Sequence, residues 1–552
     1  MAKRSDGGGP VRRKIVDAAV DAGRSVAEKV RKVAGGTPDR GMAGMNVVMF
    51  ITDQDRAIQH FPPGWARRNL HGATRLARHG VSFNNAFTNS CMCSPARSTL
   101  MTGYFPAQHG VKYTLETNMN DPGKYDQVEL PLDFANLATV MSAAGYEVVY
   151  KGKWHLSKYP PGGDWEPRDV EKYGFTRWNP PDAGANQTVP EAGGGTVDND
   201  GRFMNDTAAE SYEGVLEYLH SAAARQQPFF LVVSLVNPHD VLFYPTENFE
   251  EAGYTPAWLV GDIQPPETVD EDLSTKPTVQ REFLKLFNLT GAISSLEQQQ
   301  SYLNFYGNLM KASDQYLVDV LQALDETGLR DNTVVIRTAD HGEMGLAHGG
   351  LRQKNFNFYE ESLRVPLIFS CPALYDGEYE SDALVSHVDF LPTIASLFGA
   401  PESARRPWEG VDYSAVVLDP ERAPAPQDYV VFTWDDWQAG QPNGPYLPPP
   451  NHIVSIREER YKLAEYYDAL GNVPSQWEMY DLQHDPLERR NIAWHGHERT
   501  EHQEQELRRL KDRLAQVQRD RLQPLPNTPV ITSAEQPRRG QYLSGAAPAG
   551  SD

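Results

Sequence analysis

Three apolar, largely β-branched runs each stop abruptly at polar residues. Residues 46–52 (NVVMFIT) end at Asp53, 229–236 at Asn237-Pro238-His239, and 333–338 at Ala339-Asp340-His341. A short run without polar alternation reads as a strand covered on both faces. Helical patterns over 66–79, 135–144, 207–225 and 299–328 separate these runs, and a further strand over 147–150 leads into residues 151–155. Strands alternating with helices specify an α/β fold built on a large, mostly parallel mixed sheet flanked by helices. In such sheets, sites form beyond the carboxyl ends of the strands, so Asp53, His239 and Asp340 are expected in one cleft. After about residue 400 the rhythm changes. Strand-like segments over 429–433, 452–456 and 461–465 predict a smaller C-terminal domain with a short antiparallel sheet. The expected organisation is an N-terminal amphipathic arm (1–44), a catalytic α/β domain (45–400), an α+β subdomain (401–498), and a helix with an irregular tail (499–552). Residues 157–203, rich in Pro and Gly, read as a long surface insertion.

Charge and cysteine content narrow the function. Lys and Arg number 52 against 74 Asp and Glu, a net charge of −22 over 552 residues. That balance argues against nucleic acid, which calls for basic stripes. Three cysteines, Cys91, Cys93 and Cys371, exclude a disulfide framework and a cysteine-built zinc site. No apolar stretch approaches the length of a transmembrane helix, and no signal-peptide apolar core is present, so a soluble cytoplasmic protein is expected. Residues 11–33 carry Ile15, Ala19, Ala22, Val26, Val30 and Val33 at helical spacing. This arm suits docking on its own chain or a second subunit, while a membrane-surface helix would use Trp, Phe and Leu, which it lacks. The helix over 499–522 aligns Leu507, Leu510, Leu514 and Val517. Both arms suit a homo-oligomer.

The segment Cys91-Met-Cys93-Ser-Pro95-Ala-Arg97-Ser-Thr-Leu-Met-Thr102-Gly103 carries the most specific chemistry. Cys93, followed by Pro95 and Arg97, sits at a turn opening a helix. A helix N-terminus and a nearby guanidinium both favour a thiolate or an oxyanion. On these residues alone a buried, inert cysteine is the alternative. The eleven residues 93–103 resemble the signature of the formylglycine-dependent (type I) sulfatase family of the alkaline phosphatase superfamily, in which the cysteine of C-x-P-x-R is oxidised to formylglycine. The resemblance continues through Gly152-Lys153-Trp154-His155-Leu156, Asn237-Pro238-His239 and Thr338-Ala-Asp340-His341-Gly342-Glu343. Lys354 ahead of Phe358-Tyr359-Glu360-Glu361-Ser362, then residues 385–393 and 479–486, extend it over roughly 46–495.

That resemblance implies a site. Asp53, Gln54, Asp340 and His341, with position 93, would hold one divalent metal ion. Oxygen-rich ligation favours Ca2+, and the histidine leaves Mn2+ or Mg2+ open. A formylglycine made from Cys93 would act as its hydrate, a nucleophile activated by the metal. Arg97, Lys153 and Lys354 would neutralise sulfate oxygens. His239 would protonate the leaving oxygen, and His155 would deprotonate the second hydroxyl to expel sulfate. The expected reaction is hydrolysis of a small anionic ester, a sulfate monoester of aryl type, after maturation by a formylglycine-generating enzyme. Gln54 and His341 look like the phosphonate monoester hydrolase branch, so a phosphonate monoesterase or phosphodiesterase is the alternative. A non-catalytic, sulfatase-like binding protein with unmodified Cys93 is the second. His348 is either a pocket histidine or structural, and His387 and Asp389 read as structural. Trp434, Trp437 and Phe243-Tyr244-Pro245 are either an aromatic substrate wall or ordinary packing.

Overall fold

The computed structural model describes residues 41–115, 127–158, 163–205, 213–289, 291–438 and 446–529. Among the described residues, nine strands precede residue 400: β1 (Asn46–Asp53), β2 (Gly80–Phe83), β3 (Ala86–Phe87), β4 (Glu147–Gly152), β5 (Phe229–Pro238), β6 (Thr333–Ala339), β7 (Leu367–Ser370), β8 (Glu378–Ser381) and β9 (Val385–Ser386). Seven of them form one sheet in the order β4-β5-β1-β6-β7-β2-β8, while β3 and β9 pair separately. The four neighbours β4, β5, β1 and β6 run parallel, and β7 pairs antiparallel with both β6 and β2. Their register sets Thr52 opposite Ala339, Asp53 opposite Pro238 and Gly152 opposite Ser234. The carboxyl ends of four strands therefore finish together at one edge.

The apolar runs are continuous because both faces of the sheet are covered. Side chains alternate between layers along β1. Val47, Met49 and Ile51 join a core with Leu100 and Met101 of helix Cys93–Thr102 and Ile394 of helix Phe390–Leu397. Val48 and Phe50 join the opposite core, with Leu317, Val320 and Leu321 of the 31-residue helix Leu296–Glu326. Ser295 caps that long helix by accepting from the backbone of Gln298. The expected helix over 66–79 is broken at Leu70 (φ −106°, ψ 83°), giving Trp65–Asn69 and His71–Ala77. Of the expected helix over 207–225, the described part is Val215–His220 followed by a turn at Ala223–Arg225.

The second sheet is antiparallel and holds four strands rather than three: β10 (Tyr429–Trp434), β11 (His452–Glu458), β12 (Tyr461–Tyr467) and β13 (Gln476–Asp481). Helix Glu501–Arg521 lays Leu507, Leu510, Leu514 and Val517 onto Val454, Ile456, Leu463 and Met479 of this sheet. The apolar face of the C-terminal helix is thus occupied within its own chain. The N-terminal arm over 11–33 lies outside the described residues. Among the described residues no helix is long and apolar enough to cross a membrane.

The described residues of 157–203 are not a surface insertion. Val170, Tyr173, Phe175 and Trp178 are buried in the main core. Tyr173 packs 5.1 Å from Trp154, and Phe175 5.1 Å from Tyr150. Proline and glycine mark its turns, but the aromatic residues between them bury enough apolar area to hold the segment against the sheet.

Candidate active site

The strand ends deliver the site. Asp53 closes β1, Lys153 follows β4, His239 follows β5, and Asp340 and His341 follow β6. Helix Cys93–Thr102 begins at Cys93, and Arg97, one turn on, shares its face. Arg97 joins the two strand-end carboxylates: its Nε is 2.9 Å from Asp340 Oδ2 and its Nη2 3.0 Å from Asp53 Oδ2. Its Nη1 donates to Ser234 Oγ at 2.8 Å. Lys153 Nζ lies 2.6 Å from Asp53 Oδ2 and donates to the Gly184 carbonyl at 2.5 Å. Cys93 Sγ is 3.3 Å from His341 Nε2 and 3.7 Å from Asp53 Oδ1. All of these side chains are buried.

Asp53, Cys93, Asp340 and His341 bring their ligand atoms within 4.8 Å of one another. Burial works against an ionised Asp53, but the charges of Lys153 and Arg97 overcome it and hold the carboxyl well below its ordinary range. Asp340 is raised, by burial and then by the charge of Asp53. Two carboxylates that resist sharing one buried space are a donor set a divalent cation relieves, so these residues fit the metal ion their family implies. His341 fits as a neutral ligand. Its Nδ1 lies 3.1 Å from the Gly342 carbonyl, which can only accept, so Nδ1 carries the proton and Nε2 presents its lone pair toward Cys93. Gln54 accepts from Lys354 Nζ at its Oε1, 2.7 Å away.

Two further histidines border this group. Burial, then Lys153, hold His239 well below its ordinary value. His155 is lowered to about 4 by burial and Lys153. Its Nε2 meets the Leu115 carbonyl at 2.5 Å, and its Nδ1 has no hydrogen-bond partner among the described residues. Leu115 in turn donates its N–H to Ser94 Oγ, next to the nucleophile position.

Three groups escaped sequence reasoning as site residues. Asp182 accepts the N–H of both Trp154 and His155 at 2.8 Å, fixing the turn after β4. Ser234 buttresses Arg97. Glu343, read only as part of a motif, accepts from Gln54 Nε2 at 2.5 Å. Asp182 and Gly184 come from the Pro- and Gly-rich segment, whose composition hid its contribution.

Other candidates resolve as packing. Trp434 is fully buried, with its ring 4.9 Å from Phe356. Phe243 lies in the core around Phe249, and the Tyr244 ring is 5.8 Å from that of Phe249. Trp437 meets Tyr446 at 4.9 Å. Cys91 is packed with Phe87 and Met92. Asp389 accepts from Ser386, Val411 and Gln427 and serves the backbone. His387 is buried, which lowers it to about 3.

His348 belongs to a second ionic cluster, at the seam with the antiparallel sheet. Its Nδ1 is 2.7 Å from Glu271 Oε2, and its ring stacks 3.7 Å from that of Tyr359. His348, Glu361 and Glu488 also bring ligand atoms together. Lys462 lies 2.7 Å from Glu488 and 3.1 Å from Glu360, Arg457 3.4 Å from Glu360, and Lys276 3.0 Å from Glu271. Burial opposes a charged His348, but its hydrogen bonds with Glu271 and Glu361 carry it up to about 9. Glu271, Glu360, Glu361 and Glu488 thus each have a cationic or histidine partner within the chain, His60 Nε2 lying 2.7 Å from Glu361 as well.

The strand-end carboxylates, the helix that begins at Cys93 and the bridging arginine form one buried site. The Sulfatase family model matches residues 46–400, and the model for the N-sulphoglucosamine sulphohydrolase C-terminal region matches 348–520. The chain belongs to the formylglycine-type sulfatase family, and it is a hydrolase acting on sulfuric esters. It is 29% identical over 426 residues to the Delta 4,5-hexuronate-2-O-sulfatase of Bacteroides thetaiotaomicron, covering 76% of this chain and 78% of that one. Its fold is similar to a 2-O GAG sulfatase (TM-score 0.62, 20% identity, 86% and 93% covered). It is also similar to the phosphonate monoester hydrolase of Agrobacterium radiobacter (TM-score 0.60, 20% identity, 85% and 95% covered).

Proposed function

We propose that this enzyme hydrolyses a small sulfate monoester, aryl sulfates included, to an alcohol and sulfate, with Cys93 matured to formylglycine by a formylglycine-generating enzyme. The observation that carries the reading is the placement of Cys93 Sγ between His341 and Asp53, with Arg97 bridging Asp53 and Asp340. Asp53, Gln54, Asp340, His341 and position 93 would hold one divalent cation, with Ca2+ the best match to the oxygen donors and Mn2+ or Mg2+ the alternatives. Bound there, the cation would supply Lewis acidity, favouring a deprotonated hydroxyl at position 93 and drawing charge from the ester oxygens.

The chain's own residues do the rest. Arg97 and Lys153 are matched by Asp53 and Asp340, whereas Lys354 donates to a neutral amide. Lys354 is therefore the cation whose charge is most available to an anionic ester. His239, kept neutral by burial and Lys153, gains proton affinity when a negative ester enters, and can then donate to the leaving oxygen. His155 offers as a base its Nδ1, which has no partner among the described residues.

A second reading keeps this site and prefers phosphorus. Gln54 and His341 in the metal set favour a phosphonate monoester or phosphodiester. kcat/KM on matched aryl sulfate, phosphonate monoester and phosphodiester decides the matter, and a sulfate rate well below both phosphorus rates overturns the first reading. The likeness to a hexuronate-2-O-sulfatase adds a sulfated uronate to that panel. Mass spectrometry of the peptide 87–97, from cells that contain the maturation enzyme, tests formylglycine. A peptide bearing only thiol there would support the binding-protein reading instead.

A further inference from the structure

Gln54 is held at all four of its polar atoms. Its N–H donates to Asp340 Oδ1 at 3.1 Å, and its carbonyl accepts from Tyr306 Oη at 2.6 Å. Its Nε2 donates to Glu343 Oε2 at 2.5 Å, and its Oε1 accepts from Lys354 Nζ at 2.7 Å. The backbone takes φ +66°, a left-handed conformation that a residue with a long side chain keeps only when its surroundings enforce it.

The two side-chain contacts settle which way the amide points. An ammonium can only donate and a carboxylate can only accept. An amide between them has one favourable orientation, with NH2 to Glu343 and oxygen to Lys354. Glu343 is itself immobilised. Its Oε1 accepts from Tyr302 Oη at 2.6 Å, Gly345 N at 3.2 Å and Gln353 N at 3.0 Å. Donors surround both of its oxygens, so it has no orientation in which to offer a proton to Gln54.

We propose that Glu343 is a positioning residue: it turns the Gln54 amide so that residue 54 presents a neutral oxygen to the metal ion. The inference rests on the metal reading above. Its consequence is electrostatic. Residue 54 contributes a ligand without adding a third carboxylate, so Arg97, Lys153, Lys354 and the cation keep a positive surplus for an anionic ester. The charge of Glu343 is spent on the far side of the amide and on backbone donors.

The test uses the full chain, stripped with EDTA, and calorimetric binding of Ca2+. Four proteins are compared: wild type, Glu343→Gln, Gln54→Glu, and the swapped pair Gln54→Glu/Glu343→Gln. Glu343→Gln sets one amide against another and leaves Lys354 alone to hold the orientation, so Ca2+ should bind about 10- to 100-fold more weakly. Gln54→Glu sets two carboxylates face to face and should also weaken binding. The swapped pair restores a donor facing an acceptor and should regain most of the affinity, which a merely structural role for Glu343 would not produce. Glu343→Gln binding Ca2+ within about twofold of wild type overturns the assignment, as does a swapped pair no tighter than the weaker single variant. Should Glu343→Gln fail to fold, Gln54→Glu against the swapped pair decides by the same recovery. Wild type binding none of Ca2+, Mn2+ and Mg2+ overturns the metal reading and this inference together.

Discussion

The strand-end site and the His348 cluster are both buried assemblies of carboxylates, cations and histidine, and they differ in how their charges close. At the strand ends, Asp53 and Asp340 face Arg97, Lys153 and Lys354, and His155 is lowered to about 4. The histidines there stay neutral and a positive surplus remains. At the seam, Glu271, Glu360, Glu361 and Glu488 face Lys276, Lys462, Arg457 and a His348 raised to about 9. There the histidine is charged and every carboxylate has a partner within the chain. The same residue types thus make a receptor for an anion in one place and a clamp between two sheets in the other. Histidine protonation tells them apart, because the local charge balance decides it.

Five substitutions break or sharpen this contrast. The largest effect falls on the proposed nucleophile: Cys93→Ala should lower kcat/KM by about 10^4-fold or more, and residual sulfatase turnover near wild type would end the mechanism. His239→Ala should lose roughly 10^2- to 10^4-fold on an unactivated alkyl ester and far less on an aryl ester with a good leaving group. Equal losses on both would remove the proton-donor role. Lys462→Met takes a buried cation from Glu360 and Glu488, and should destabilise the fold by about 3–5 kcal/mol while leaving kcat of the folded enzyme unchanged. Urea unfolding read beside turnover checks it. Lys354→Met should do the reverse, costing roughly 10^2- to 10^3-fold in kcat/KM with little change in melting temperature, since its partner is a neutral amide. A large drop in melting temperature would place Lys354 with the clamp.

The smallest effect is in pH. His348 has a folded value of about 9, above an unfolded value of about 6.5. Its contribution is fully present below about pH 6.5 and is lost as pH rises through about 9. It is of the order of 3 kcal/mol, and the difference in stability between wild type and His348→Gln should shrink across that window. A difference that stays level from pH 6 to 10 would mean that His348 is neutral.

Much of this was legible along the chain. Continuous apolar runs with polar endings located β1, β5 and β6, because a strand covered on both faces has no polar positions until it leaves the sheet. Cys93 and Arg97 were legible because one helical turn joins them, a local relation that spacing records. The family signature added Lys153, His155, Lys354 and the ligand pairs. Composition misled at 157–203, where turn residues outnumber the aromatics that hold the segment in the core, and did not place the C-terminal helix, whose partner strands are distant in sequence. The antiparallel strand β13 was missed beside its three neighbours.

Residue chemistry and spacing alone determined the parallel sheet, the polar residues that end its strands and the helical turn joining Cys93 to Arg97, since each depends on neighbours within a few residues. Only the tertiary structure decided which charges meet. Lys354 and Gln54 are 300 residues apart, Glu343 and Gln54 289, and Lys462 and Glu360 102. The orientation of the Gln54 amide, the proton on His348 and the Nδ1 that His155 offers follow from such contacts. Each is a balance of burial against a particular partner, and a linear sequence does not say who the partner will be.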